Sequence, residues 1–179
     1  DSGLERQGIS GGYRLKRSAT SLAWLSSIFR TSRPLGSDFH YRFLARSTEA
    51  NVSGSAQLAY ALGDSDTRSD FIRTIIDYGQ GQLRIVDGKS GASSSTAFTP
   101  PTTDFQEARI DFTSSSNTLR FSYNGATTSL VLTGNYAPLS HFAVGAAAME
   151  GEITTLVPGN GLSLTESAIT RGQVQPGGF

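Results

Sequence analysis

Two stretches decide the fold, Ala108-Arg109-Ile110-Asp111-Phe112 and Leu119-Arg120-Phe121-Ser122-Tyr123-Asn124-Gly125. In each, apolar residues alternate with polar ones. Successive strand side chains point to opposite faces, so each stretch reads as a strand with one buried face. Ser114-Ser115-Ser116-Asn117 between them reads as a hairpin loop. Asn124-Gly125 is the pair a type I′ turn favours, because both central residues need positive φ. Leu130 and Leu132 then continue the alternation beyond that turn.

The same period of two recurs outward. Phe39, Tyr41 and Phe43 alternate with His40, Arg42 and Leu44, and Ile153, Thr155 and Val157 repeat the pattern. Phe71–Tyr78 and Leu83/Ile85 add two strands, closed by Gly79-Gln80-Gly81 and Asp87-Gly88 turns. Lys89–Thr103, rich in Ser and Thr and ending at Pro100-Pro101, reads as a long surface loop. Leu22, Leu25, Ile28 and Phe29 fit one short helix over Ala19–Phe29, with a short strand fitting nearly as well. Many short strands at close spacing predict an all-β, antiparallel β-sandwich with at most one or two short helices. Residues 1–171 form one domain on this reading, and 172–179 a tail.

Composition narrows the function. Among 179 residues there are 25 Ser, 18 Thr and 20 Gly, about a third of the chain, while charged residues make up 17%. Such a balance suits an extracellular, cell-surface or virion protein better than a cytosolic enzyme. Lys+Arg and Asp+Glu are both 15, so the net charge is zero and a global grip on nucleic acid is not expected. With no cysteine, a disulfide scaffold, a Cys-ligated metal and a cysteine nucleophile are excluded. No apolar run reaches spanning length, so no membrane insertion is expected. The chain opens at Asp1 without a signal-peptide pattern, which reads as a mature or excised form.

The Phe71–Tyr78 strand, Gly turn and Gln82–Ile85 strand resemble a strand pair of laminin-G-like, or concanavalin A-like, jelly rolls. Ala108–Phe112, Leu119–Tyr123 with Asn124-Gly125, Phe142–Gly145, Gly151–Ile153 and Leu162–Glu166 are similar to the elements that follow in that family. The resemblance covers about residues 71–170, with Phe105-Gln106-Glu107 where the family has Trp-His. It implies a jelly-roll fold and a range of roles: lectins, adhesion modules, viral surface domains, and some polysaccharide hydrolases and lyases.

Catalytic motifs fail on their context. Gly8-Ile9-Ser10-Gly11-Gly12 matches a nucleophile elbow without its strand-to-helix setting. Gly88-Lys89-Ser90 lacks the earlier glycine of a phosphate loop. Glu150 and Glu152 share a strand face, as a glycosidase pair would, but the third acid of the jelly-roll glucanases is missing. His40 and His141 stand alone. No catalytic residue is assigned, and no enzyme is expected.

Two binding candidates remain. Asp64, Asp66 and Asp70 lie in one loop and can offer calcium three carboxylates; the favoured reading is a charged loop in which Arg68 pairs with an aspartate. A sugar ring stacks its C–H face on an exposed aromatic, which makes Trp24, Tyr60, Tyr78, Tyr123 and Tyr136 candidates. Asn124 stands beside Tyr123 to bond hydroxyls, and Asn135 beside Tyr136; the same rings also serve a core. Arg14, Lys16, Arg17, Arg30 and Arg33 form a basic cluster. The chain is therefore expected to be a glycan- or polysaccharide-binding or adhesive module needing no cofactor beyond possible calcium. The alternative is a structural subunit of a virion or filament, joined to copies of itself or to other surface proteins through β-sheet contacts.

Overall fold

The computed structural model describes residues 3–9, 12–24, 29–35, 38–50, 52–100, 103–137, 139–155 and 169–170. Fifteen strands are formed by these residues: β1 Glu5–Ile9, β2 Gly12–Arg17, β3 Ala23–Trp24, β4 Phe29–Leu35, β5 Phe39–Ser47, β6 Gln57–Gly63, β7 Ile72–Asp77 and β8 Gln82–Val86; then β9 Ser93–Ala97, β10 Gln106–Thr113, β11 Thr118–Tyr123, β12 Ala126–Val131, β13 Leu139–Ala147, β14 Met149–Thr155 and β15 Ile169–Thr170. The described helices are two single 3-10 turns, Arg68–Asp70 and Ser114–Ser116. No described helix is long and apolar enough to cross a membrane.

The strands make two antiparallel sheets. One runs β1-β2-β14-β5-β10-β11-β12, with β15 also on β5; the other runs β3-β13-β6-β7-β8-β9, with β4 also on β13. The pattern read from sequence dictates which face goes in. Tyr41, Phe43, Ile110, Leu119, Phe121 and Ile153 from the first sheet meet Leu58, Tyr60, Leu62, Ile72, Ile76, Leu83, Ile85 and Val144 from the second. Each such side chain contributes roughly 1.5–3 kcal/mol by leaving water. Tyr41 and Tyr60 stack across the gap at 4.4 Å, and Phe43 lies 5.4 Å from the same Tyr60 ring.

The decisive hairpins form as read. Ile110 pairs with Phe121, and Phe121 with Thr128. Asn124 and Gly125 have φ of 46° and 78°, as a type I′ turn requires. Two expectations are corrected. The Lys89–Thr103 loop contains β9, whose residues Ser93–Ala97 pair in full with Val86–Gln82. Its small polar side chains carry no apolar signature; backbone pairing at a sheet edge holds it, with Ser94 Oγ 2.9 Å from Thr128 Oγ1 of the facing sheet. The expected helix over Ala19–Phe29 is not formed at its start, where Ala23 and Trp24 pair with Ala146 and Gly145 of β13. A row of backbone bonds to an existing sheet outweighs a short helical spacing. Residues 25–28, the Leu162–Glu166 segment and the 172–179 tail lie outside the described residues.

Candidate functional site

At one end of the sandwich the β7–β8 turn, Tyr78–Gly81, meets the segment after β9 and the loop after β5. The turn is held by buried Asp77, which accepts from Gln57 Nε2 at 2.8 Å and from the Gln80 N–H at 2.9 Å. Gly79 lies so close to the β5–β6 loop that a Cβ would come within 2.4 Å of the Gly54 carbonyl oxygen. Gly81 has φ +62° and its carbonyl accepts from the Phe98 N–H at 2.8 Å, which fixes the segment after β9. From the neighbouring hairpin, Asn124 Nδ2 donates to the Thr99 carbonyl at 2.9 Å. Ser47 Oγ bonds both the carbonyl and the N–H of Glu49, at 2.7 and 3.1 Å.

These braced segments enclose a cleft of about 550 Å³. That falls in the range of about 300–1,000 Å³ usual for small-ligand sites. Its buried side is Tyr78 and Phe98 with half-buried Val52; Glu49, Gln80, Thr99 and Pro100 stand exposed around it. The Glu49 carboxylate, the Gln80 amide and the Thr99 hydroxyl make no hydrogen bond among the described residues. A mostly polar cleft with uncommitted carboxylate, amide and hydroxyl groups at its rim can take a small polyhydroxylated molecule by bonding its hydroxyls.

The tyrosines expected as sugar platforms are mostly core. Tyr60, Tyr78 and Tyr123 are 1, 2 and 1% exposed. Tyr78 and Tyr123 meet edge to face at 6.0 Å, with their hydroxyls 2.8 Å apart; Tyr123 donates on to the Ala45 carbonyl. Burial pushes all three phenols above their ordinary pKa. Rings this enclosed cannot stack on a sugar, and only Tyr78 reaches the cleft. Trp24 is placed by its backbone alone, opposite Gly145. Asn124 does take part, as a brace of the cleft rather than at its surface.

The aspartates of the 64–70 loop diverge at the far end of β6. Asp64 Oδ2 accepts from Lys89 Nζ at 2.6 Å and from the Ala137 N–H at 2.7 Å. Asp66 lies 3.5 Å from His141 Nε2, while Asp70 Oδ1 accepts from Ser69 Oγ. Among the described residues no group of three His, Asp or Glu side chains is placed to hold a metal. Lys89 supplies the charge that neutralises Asp64, and its ammonium also donates to the Asn135 carbonyl and lies 4.7 Å from the Tyr136 ring centre. That cation occupies one face of Tyr136, whose hydroxyl is also committed. The focus of this end is Asp87, which the sequence offered only as a turn residue. Fully buried, it accepts from Tyr136 and from the N–H groups of Lys89, Ser90, Thr133 and Gly134. Burial alone would raise its pKa; the bonds from Tyr136, Gly134 and Ser90 outweigh that and hold it well below the usual carboxylate range.

Across the outer face of the first sheet, Glu152 sits between two arginines. Arg14 Nη2 lies 2.6 Å from Oε1 and Arg46 Nη2 lies 2.7 Å from Oε2. Lys16 faces Glu150 at 3.7 Å. Of the basic cluster, Arg14 and Lys16 are thus paired with acids while Arg17 bonds Ser21, and the Glu150/Glu152 pair is tied up rather than poised for acid–base chemistry.

No protein-family model matches the chain, and neither does the sequence of any curated protein. Solved structures do match its fold. A carbohydrate-binding module, CBM66 from Bacillus subtilis, superposes with a TM-score of 0.58 at 13% identity, covering 86% of this chain and 93% of that one. The carbohydrate recognition domain of Emp47p gives 0.53 at 12% identity, over 86% and 78%. Winged bean acidic lectin, solved with methyl-α-D-galactose, gives 0.52 at 11% identity, over 86% and 90%. The fold is the concanavalin A-like jelly roll. The resemblance read from residues 71–170 therefore extends over most of the chain.

Proposed function

We propose that this chain is a non-enzymatic glycan-binding module, and that the cleft beside the Tyr78–Gly81 turn holds the sugar. The observation that carries the reading is the cleft itself: ligand-sized, with the polar ends of Glu49, Gln80 and Thr99 uncommitted among the described residues. The fold supports it, since the similar structures named above are carbohydrate-binding modules and lectins. Adhesion at a cell or virion surface, as the laminin-G-like resemblance implies, is the wider class to which such a module belongs. Calcium has no assigned role here, because Asp64 is already neutralised by Lys89.

The test is calorimetric titration against neutral and acidic polysaccharides, with calcium and then with EDTA. Saturable binding that Gln80→Trp removes supports the cleft, and binding lost with EDTA would overturn the calcium-free part of the reading. One observation favours the second reading, a structural subunit. β1 ends its sheet with Glu5–Gly8 exposed, leaving a strand edge among the described residues for a neighbouring copy. Sedimentation of the purified protein as a large assembly, with no sugar binding, would favour that role.

A further inference from the structure

The cleft has a sign. Of its described lining residues Glu49 alone carries charge, and no lysine, arginine or histidine faces it. The Glu49 backbone is fixed at both its N–H and its carbonyl by Ser47 Oγ, while its carboxylate is exposed and unpaired among the described residues. Arg46, one residue before Ser47, turns to the outer sheet face, where its guanidinium bonds Glu152 at 2.7 Å and lies over the Phe105 ring at 4.3 Å. It is spent before it can balance Glu49. Glu107, Asp64 and Glu152 each meet a cation, from Arg42, Lys89 and the Arg14/Arg46 pair; Glu49 meets none among the described residues.

We infer that the cleft selects sugars without an acid group, and prefers amino sugars over uncharged ones, with Glu49 as the residue that sets this preference. The inference rests on the cleft being the glycan site. A carboxylate or sulfate in so small a space sits within several ångströms of the Glu49 charge, where like charges repel and an ammonium is attracted. Near a protein surface that is worth about tenfold in affinity in either direction, fading as salt screens it.

The experiment uses two pairs of oligosaccharides with matched backbones. One pair is oligogalacturonate and its methyl ester; the other is a glucosamine oligomer and its N-acetylated form. All are titrated into the whole chain at low salt and about pH 6, where amines and carboxylates are both charged. The ester should bind about tenfold tighter than the acid, and the amine tighter than the acetamide. Glu49→Gln should collapse both differences, and Gln80→Trp should block all four. Equal binding of acid and ester, with Gln80→Trp still blocking, overturns the charge preference alone. Differences that persist in Glu49→Gln remove Glu49 as their source. If no member of either pair binds, or if Gln80→Trp leaves binding intact, the cleft is not the site and the preference falls with it.

Discussion

The Tyr136 hydroxyl lies 2.6 Å from Oδ1 of Asp87, the shortest of the bonds that converge on that buried carboxylate. It links the 133–137 segment to the end of β8, and Asp87 Oδ2 strengthens the link by accepting from Thr133 and Gly134. Tyr136→Phe removes its bond to a charged acceptor, with the longer ones to the Asp70 carbonyl and from the Lys89 N–H, and should cost about 1.5–3 kcal/mol. Asp87→Ala strands several N–H donors at once and should cost more, about 3 kcal/mol at least. Urea melts compare the two; a smaller loss for Asp87→Ala than for Tyr136→Phe would show that the carboxylate is not the hub.

The same carboxylate predicts acid sensitivity. Its folded pKa lies below the unfolded value of about 4, so the unfolded chain binds a proton first as the pH falls. The stabilisation is complete above about pH 5 and is lost progressively below it, toward the folded value. Asp64, also lowered against the effect of its burial by Lys89 and the Ala137 N–H, acts in the same direction. Melting temperature against pH should therefore fall below about pH 4 in the native chain, and more gently in Asp87→Asn. Parallel curves would remove Asp87 as a source of the slope.

Glu152 should be hard to replace. Its carboxylate is nearly inaccessible and holds two guanidinium groups, so Glu152→Ala takes the shared counter-charge from Arg14 and Arg46 and leaves only Glu150, 3.8 Å from Arg14 Nε. The melting temperature should drop by about 5 °C or more. Gln, which cannot neutralise either arginine, should recover only part of it. Calorimetry on both variants decides this, and a Glu152→Gln protein as stable as the native one would sink it.

Strands were legible wherever an apolar face repeats at a period of two, and Asn124-Gly125 announced its turn by chemistry. Tyr123 shares that period with Leu119 and Phe121, so its burial was already implicit; Tyr60 alternates with Leu58 and Leu62 in β6, a strand not among those expected from the sequence. β9 was hidden because Ser-Ser-Ser-Thr-Ala has loop composition and is a strand only through its neighbour. The two ends of the sandwich were illegible for a different reason. Asp87 looks like any turn aspartate until Thr133 and Tyr136, 46 and 49 residues later, are folded onto it. The cleft joins Glu49, Gln80 and Thr99, each an ordinary surface residue in its own segment.

Asn124 offers a test that separates shape from stability. Its φ of 46° is a conformation glycine adopts freely, whereas alanine there carries strain of about 1 kcal/mol. Asn124→Gly therefore keeps the turn and deletes only the amide that donates to the Thr99 carbonyl. On an exposed loop that bond is worth about 1 kcal/mol or less. The melting temperature should move by no more than a few degrees, while sugar affinity falls about threefold or more as the Thr99 wall loosens. Asn124→Ala should lose the same affinity and additional stability. If Asn124→Gly binds sugar as the native chain does, the Thr99 wall does not need this amide, and the Gly81–Phe98 backbone pair suffices to place it.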